Sequence, residues 1–141
     1  MITFEDFDAL AVEVARLLTN KPVVLRWRSP ASIGAIGTTS KFFDKFVIEI
    51  DPNLSMDQAL KTYLHECAHV LLHGDQMCNS AVAVRPPASI VDNTAIDQGH
   101  NARELEADQL AEYWLSEAEE EAYVKTEYRM LEALKRLYSK Q

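Results

Sequence analysis

Residues 55–74 constrain this chain more than any other stretch. Ser55-Met56-Asp57-Gln58 has the form of a capping box, and Gly74 stands where a C-terminal cap would, so the segment predicts a helix running to about residue 73. At 3.6 residues per turn, Leu60, Tyr63, Leu64, Cys67, Ala68, Val70 and Leu71 gather on one side. His65, Glu66, His69 and His73 gather on the other. The helix therefore has a face that must pack and a face dense in groups able to hold protons or cations.

The rest of the chain supplies partners for the packed face. Phe4, Phe7, Leu10, Ala11, Val14, Leu17 and Leu18 recur at helical spacing after a candidate Thr3 cap, and the pattern ends near Asn20-Lys21-Pro22. Val23 to Trp27 reads as a strand, Ile33 to Thr39 as a weaker strand or hairpin arm, and Phe42 to Ile50 as the clearest strand. Together they suggest a small, mainly antiparallel sheet of about three strands. The stretch from Asp75 to about Asp97, with Arg85-Pro86-Pro87, has little periodicity and is left unassigned; a connection of that length is usually functional or mobile. A helix is expected over about 99–115. Ser116-Glu117-Ala118-Glu119 offers a second capping box, opening a last helix to about 138 with Tyr123, Val124, Met130, Leu131, Leu134 and Leu137 as its stripe. The expectation is an α+β chain of about four helices and three strands, forming a single domain over 1–141.

Composition bounds what such a chain does. Its 141 residues, 48% apolar, allow one hydrophobic core. A formal net charge of −8 argues against broad contact with nucleic acid or an anionic membrane, because both need clustered Lys and Arg. The acids at Glu117 and Glu119 to Glu121 read as a solvated helix start. There is no bilayer-length apolar run, and the acidic N-terminus lacks the features of a secretory signal, so a cytoplasmic protein is expected. Two cysteines, Cys67 and Cys78, are too few for a disulfide framework, and reduced thiols are the default.

The polar face of the 55–73 helix carries the chemistry. Histidines four apart project from successive turns of one face, letting two imidazole nitrogens meet one zinc ion at roughly 2.0–2.1 Å each. Glu66 follows the first histidine directly and is swung round the helix, where it reaches a water on the metal without occupying the metal, the place of a general base. A solvated polar face accounts for the same residues without any metal, so a third ligand is the deciding feature. On the next helix, Glu104 and Asp108 lie one turn apart: Glu104 is the candidate third ligand, and Asp108 the acceptor for the free N–H of a ligating histidine. His73 is two turns beyond His65, about 12 Å away along a straight helix, too far to share one ion, and reads as a helix-end residue. His100 reads as a surface histidine that would otherwise line the cleft; Cys78 has no assigned role, and Tyr63, Tyr113 and Tyr123 are open candidates for an oxyanion donor.

His65-Glu66-Cys67-Ala68-His69, followed by Leu71-Leu72-His73 and by Glu104-Leu105-Glu106-Ala107-Asp108-Gln109-Leu110-Ala111, resembles the ImmA/IrrE family of gluzincin metallopeptidases over roughly residues 45–115. Asp51-Pro52-Asn53-Leu54-Ser55 fits that family's entry into its catalytic segment, whereas Trp114-Leu115 stands where the family pattern includes a proline. The resemblance implies a minimal gluzincin-like domain with a catalytic core over about 42–115 and a C-terminal helix over about 116–138. It implies one zinc ion per chain, held by His65, His69 and Glu104, with Glu66 as base and Asp108 behind the ligands. The implied activity is hydrolysis of a peptide bond in a protein substrate, often a helix-turn-helix repressor of a bacterial, phage or mobile-element system. The alternative is a zinc-stabilised interaction module without turnover. An extended substrate would pair with a sheet edge, for which Phe42 to Ile50 is the candidate strand.

Overall fold

The computed structural model describes residues 4–28, 36–43, 45–74, 94–124 and 126–139. Its elements run α1 (Phe4–Thr19), β1 (Val23–Trp27), β2 (Gly37–Phe42), β3 (Lys45–Ile50), α2 (Met56–His73), α3 (Thr94–Glu121) and α4 (Glu127–Ser139). The α+β class and the order of elements are those expected. None of the described helices is long and apolar enough to cross a membrane.

Helix α1 buries Phe7, Leu10, Ala11, Val14 and Leu18, as its spacing requires. It stops where Asn20 takes a left-handed conformation, φ 57°, and donates its N–H to the Arg16 carbonyl at 2.8 Å. Asn tolerates that region better than most side chains, and Pro22 then prevents helical continuation. Thr19 closes the end, donating its hydroxyl to the Ala15 carbonyl at 2.7 Å. From β1, Trp27 donates its indole N–H to Asp8 of α1 and stacks at a tilt on Phe7, with ring centroids 5.7 Å apart.

The sheet differs from expectation in three ways. Phe42 to Ile50 is not one strand: the chain turns between Phe42 and Lys45, with Phe43 at φ 56°, so β2 and β3 form a hairpin. The apolar run Phe42, Phe43, Phe46 conceals that turn from a reading of strand propensity. The sheet is also mixed rather than mainly antiparallel, in the order β1-β3-β2, with β1 parallel to β3 and β2 antiparallel to it. Sequential strands usually neighbour one another, but here β1 passes over β2 to pair with β3. Finally, β3 is the central strand, paired from Phe46↔Val23 to Ile50↔Trp27 on one side and over its whole length on the other. Its backbone groups are committed, so it offers no edge; β1 and β2 are the edges of this sheet. The Ile33 to Thr39 arm lies partly outside the described residues.

Helix α2 begins as expected, with Ser55 accepting the Gln58 N–H at 3.2 Å. At its far end Gly74 is right-handed, φ −58°. Its requirement is for space: a Cβ there would lie 2.9 Å from the Phe46 ring. The packed face holds, with Leu60, Tyr63, Leu64, Cys67 and Ala68 at 1% exposure or less, and Tyr63 donating its hydroxyl to the Ala11 carbonyl at 2.6 Å. Leu71 is expected on that face and is instead 40% exposed, as is Leu72, while Val70 and His73 of the same turn are buried. The polar face is covered as well. Glu66, His69 and His73 are all buried, enclosed between β2 and α3.

The Ser116 capping box does not start a helix. α3 continues through it to Glu121, and α4 begins at Glu127, with the Thr126 hydroxyl accepting the Arg129 N–H at 3.4 Å. Ala107, Ala111, Trp114, Ala118 and Ala122 form an unbroken buried stripe at helical spacing. A cap at Ser116 would have taken Ala118 and Ala122 out of register with it. Mostly small residues make a weak apolar signal, which is why this stripe is hard to see in sequence. Tyr123 and Val124, expected in the last helix's stripe, fall in the turn and are exposed, Tyr123 fully. Met130, Leu131 and Leu134 are buried as expected.

Candidate metal centre and its flanking carboxylate

Three side chains from two helices converge on one point. His65 and His69 face each other from successive turns of α2, Nε2 to Nε2 at 3.2 Å. Glu104 reaches across from α3, placing Oε2 2.7 Å from His65 Nε2 and Oε1 3.1 Å from His69 Nε2. The ligand atoms of the three residues all lie within 4.8 Å of one another, and this is the one such grouping found among the described residues. Two imidazole nitrogens aimed at each other this closely need shared protons or a cation between them. Two nitrogens and one carboxylate suit a borderline ion such as zinc. The donor set therefore fits a metal.

Each histidine has a partner behind it. His65 Nδ1 lies 2.7 Å from Asp108 Oδ1, so Asp108 is where the sequence anticipates an acceptor. His69 Nδ1 lies 3.1 Å from His73 Nδ1. His73 is not among the converging ligands; it is the last residue of α2, and its ring is buried against that of His69.

The charges of these side chains act strongly on one another. Burial pushes His65 down, but the hydrogen bond with Glu104 and the charges of Glu66, Glu104 and Asp108 outweigh it and carry the imidazole up to about 9. Burial pushes Glu104 up, and its hydrogen bonds with the two histidines prevail and hold it down at about 2. The two shifts share one cause, the 2.7 Å contact between the His65 imidazole and the Glu104 carboxylate, which favours the charged form of each.

Glu66 stands apart from this group. It is 4% exposed, and its Oε1 accepts the Thr39 hydroxyl at 2.5 Å from β2. Burial raises its proton affinity above that of an ordinary carboxylate, with His69, His65 and the Thr39 bond opposing. β2 approaches closely enough to make that contact because of Gly37: a Cβ there would lie 2.5 Å from Thr62 Cγ2 and 3.5 Å from Glu66 Cγ. The sequence reading missed both Thr39 and Gly37. Neither belongs to a local pattern, and the partner of Thr39 is 27 residues away.

The other candidates separate cleanly. The Tyr63 hydroxyl is committed in the core and Tyr123 projects into solvent, so neither donates to a group at the cluster. Tyr113 is exposed on α3, beside Glu117. Cys67 is a core thiol whose burial pushes its proton affinity well up. Cys78 and the side chain of His100 lie outside the described residues, as does most of the unassigned 75–97 stretch. A cleft of about 330 Å³ opens between α2 and α3 beside His65 and Asp108, with Leu64, Ala111 and Leu115 as its apolar wall and Lys61 and Glu112 at its rim.

No curated protein and no solved structure matches the chain. A family model does, and it bears out the resemblance carried by the two helix motifs. The model, described as the IrrE N-terminal-like domain of a peptidase family, matches residues 30–139, most of the chain including α2, α3 and α4, and the protein belongs to that family.

Proposed function

We propose that this chain is a zinc-dependent endopeptidase of the gluzincin type, acting in the cytoplasm on a protein such as a transcriptional repressor. The observation that carries the reading is the division of labour on α2: His65 and His69 converge with Glu104, while Glu66, the neighbour of His65, is left out of that cluster and held separately by Thr39. A purely structural zinc site closes with four protein ligands and needs no adjacent buried carboxylate, whereas a catalytic one keeps three and leaves a position open.

In this reading His65, His69 and Glu104 hold one zinc ion, which when bound supplies a Lewis acid that polarises a carbonyl and acidifies water. Glu66 Oε takes a proton from the attacking water and returns it to the leaving amine. Its burial favours this role, because raising a carboxylate's proton affinity brings it nearer the working pH of a general base. Thr39 fixes the carboxylate's orientation. Asp108 accepts the His65 Nδ1–H and orients that ring. The cleft beside His65 has room for a substrate side chain, and β2, the sheet edge beside Glu66, is the strand along which an extended peptide would lie.

Glu66→Gln tests the reading. Zinc content should stay at one per chain while cleavage of the substrate protein falls by at least about 100-fold, as loss of a general base entails. A variant that keeps both its zinc and its full biological effect would identify the protein as a zinc-stabilised interaction module instead.

A further inference from the structure

His69 and His73 meet one turn apart, Nδ1 to Nδ1 at 3.1 Å, with both rings buried. At that distance one nitrogen must donate and the other accept. His69 turns its Nε2 toward His65 and Glu104. A ring nitrogen that gives its lone pair to a cation carries no proton, so a neutral, ligating His69 is protonated at Nδ1. His73 Nδ1 is then the acceptor, and the proton of a neutral His73 sits on Nε2. That Nε2 is buried and has no hydrogen-bond partner among the described residues; the nearest carboxylate oxygen, Glu106 Oε1 on α3, is 3.9 Å away.

Packing alone does not account for this histidine. Leaving a buried polar group without a hydrogen bond costs about 1–3 kcal/mol, which Leu or Phe at position 73 would avoid. The two ligating rings also differ in what stands behind them. His65 is backed by Asp108, whose side chain is 60% exposed to the solvent that screens its charge. His69 lies deeper, beside the buried carboxylates of Glu66 and Glu104, where a third buried carboxylate would add charge without solvent to screen it. A neutral acceptor orients the ring there at no cost in charge.

We propose that His73 is a positioning residue of the metal centre: as its Nε2–H tautomer it accepts the His69 Nδ1–H and holds the His69 Nε2 lone pair toward the metal. This rests on the reading of His69 as a zinc ligand. Outer partners of this kind are worth about 10–100-fold in metal affinity.

Two variants of the full chain separate acceptor from filler. In His73→Asn the amide Oδ1 occupies the place of the imidazole Nδ1 and can accept; in His73→Phe the space is filled and the acceptor lost. Zinc affinity is measured by competition with a chromogenic chelator, alongside the unfolding temperatures of the metal-free proteins. His73→Phe should bind zinc about 10–100-fold more weakly and His73→Asn should come back to within a few-fold of wild type. Long-range 1H–15N spectra of the zinc-loaded wild type should show His73 protonated at Nε2 and unprotonated at Nδ1. Unchanged affinity in His73→Phe, equal losses in both variants, or a proton on His73 Nδ1 would overturn the proposal while leaving the metal centre standing. A wild type that takes up no zinc would overturn both.

Discussion

Two elements close over the polar face of α2, and they contribute in different ways. α3 brings Glu104 and Asp108, four residues apart on one face, each to 2.7 Å from a nitrogen of His65, and Glu106 to 3.9 Å from His73. β2 brings Thr39 and Gly37 from the sheet edge: one a hydroxyl donor to Glu66, the other the gap that lets the strand come close. The α3 side touches the candidate metal ligands, and the β2 side touches the candidate base. In the proposed function, metal holding and proton handling are thus supported by separate parts of the fold, and they should fail separately.

The largest effect is expected on the α3 side. Glu104→Ala removes one of three converging ligands and should weaken zinc binding by more than about 100-fold, beyond what loss of an outer partner costs. Elemental analysis of gently purified protein checks this, and a variant retaining one zinc per chain would dissolve the contrast between the two elements.

Thr39→Val probes the β2 side. Deleting a hydrogen bond to a charged group costs about 1.5–3 kcal/mol, so turnover of a cleaved substrate should fall about 10–100-fold. Zinc content should not change, since the Thr39 hydroxyl bonds Glu66 and not one of the three converging ligands. Loss of metal in this variant would show that the two sides are coupled through α2 after all.

The smallest effect is in the pH dependence of the metal-free protein. His65 is raised from its usual 6.5 to about 9, so its contribution is fully present below 6.5 and is lost as pH rises through about 9. Glu104 is lowered from its usual 4.5 to about 2, so its contribution is present above 4.5 and is lost as pH falls through about 2. The metal-free unfolding temperature should therefore be highest between about pH 4.5 and 6.5 as far as this pair is concerned. Zinc uptake at neutral pH should release about one proton, because His65 must give up the one it holds. Calorimetry in buffers of differing ionisation enthalpy reads that proton; no buffer dependence would mean that His65 is already neutral.

The same contrast explains how much could be read in advance. His65, Glu66 and His69 are legible because a helix turns a four-residue spacing into a shared face. Glu104 and Asp108 are legible for the same reason on a second helix, and the cap at Ser55 fixes where the first one starts. Small residues gave less: the stripe Ala107, Ala111, Ala118 and Ala122 carries α3 past a well-formed capping box that local pattern alone would have honoured. The turn at Phe43 was hidden because three phenylalanines around it look like strand.

Sequence by itself determined the two-faced helix, its histidines and Glu66, the carboxylates that answer them, and the family to which they belong. Those are local properties, set by periodicity and by side-chain chemistry. Only the tertiary structure decided that β1 passes over β2 to pair with β3, leaving β2 at the edge against α2. That choice gives Glu66 its Thr39, and the meeting of α2 with α3 gives His65 and His69 their Glu104. Contacts between residues tens of positions apart depend on which surfaces bury the most apolar area together, and no local pattern in the chain records that outcome.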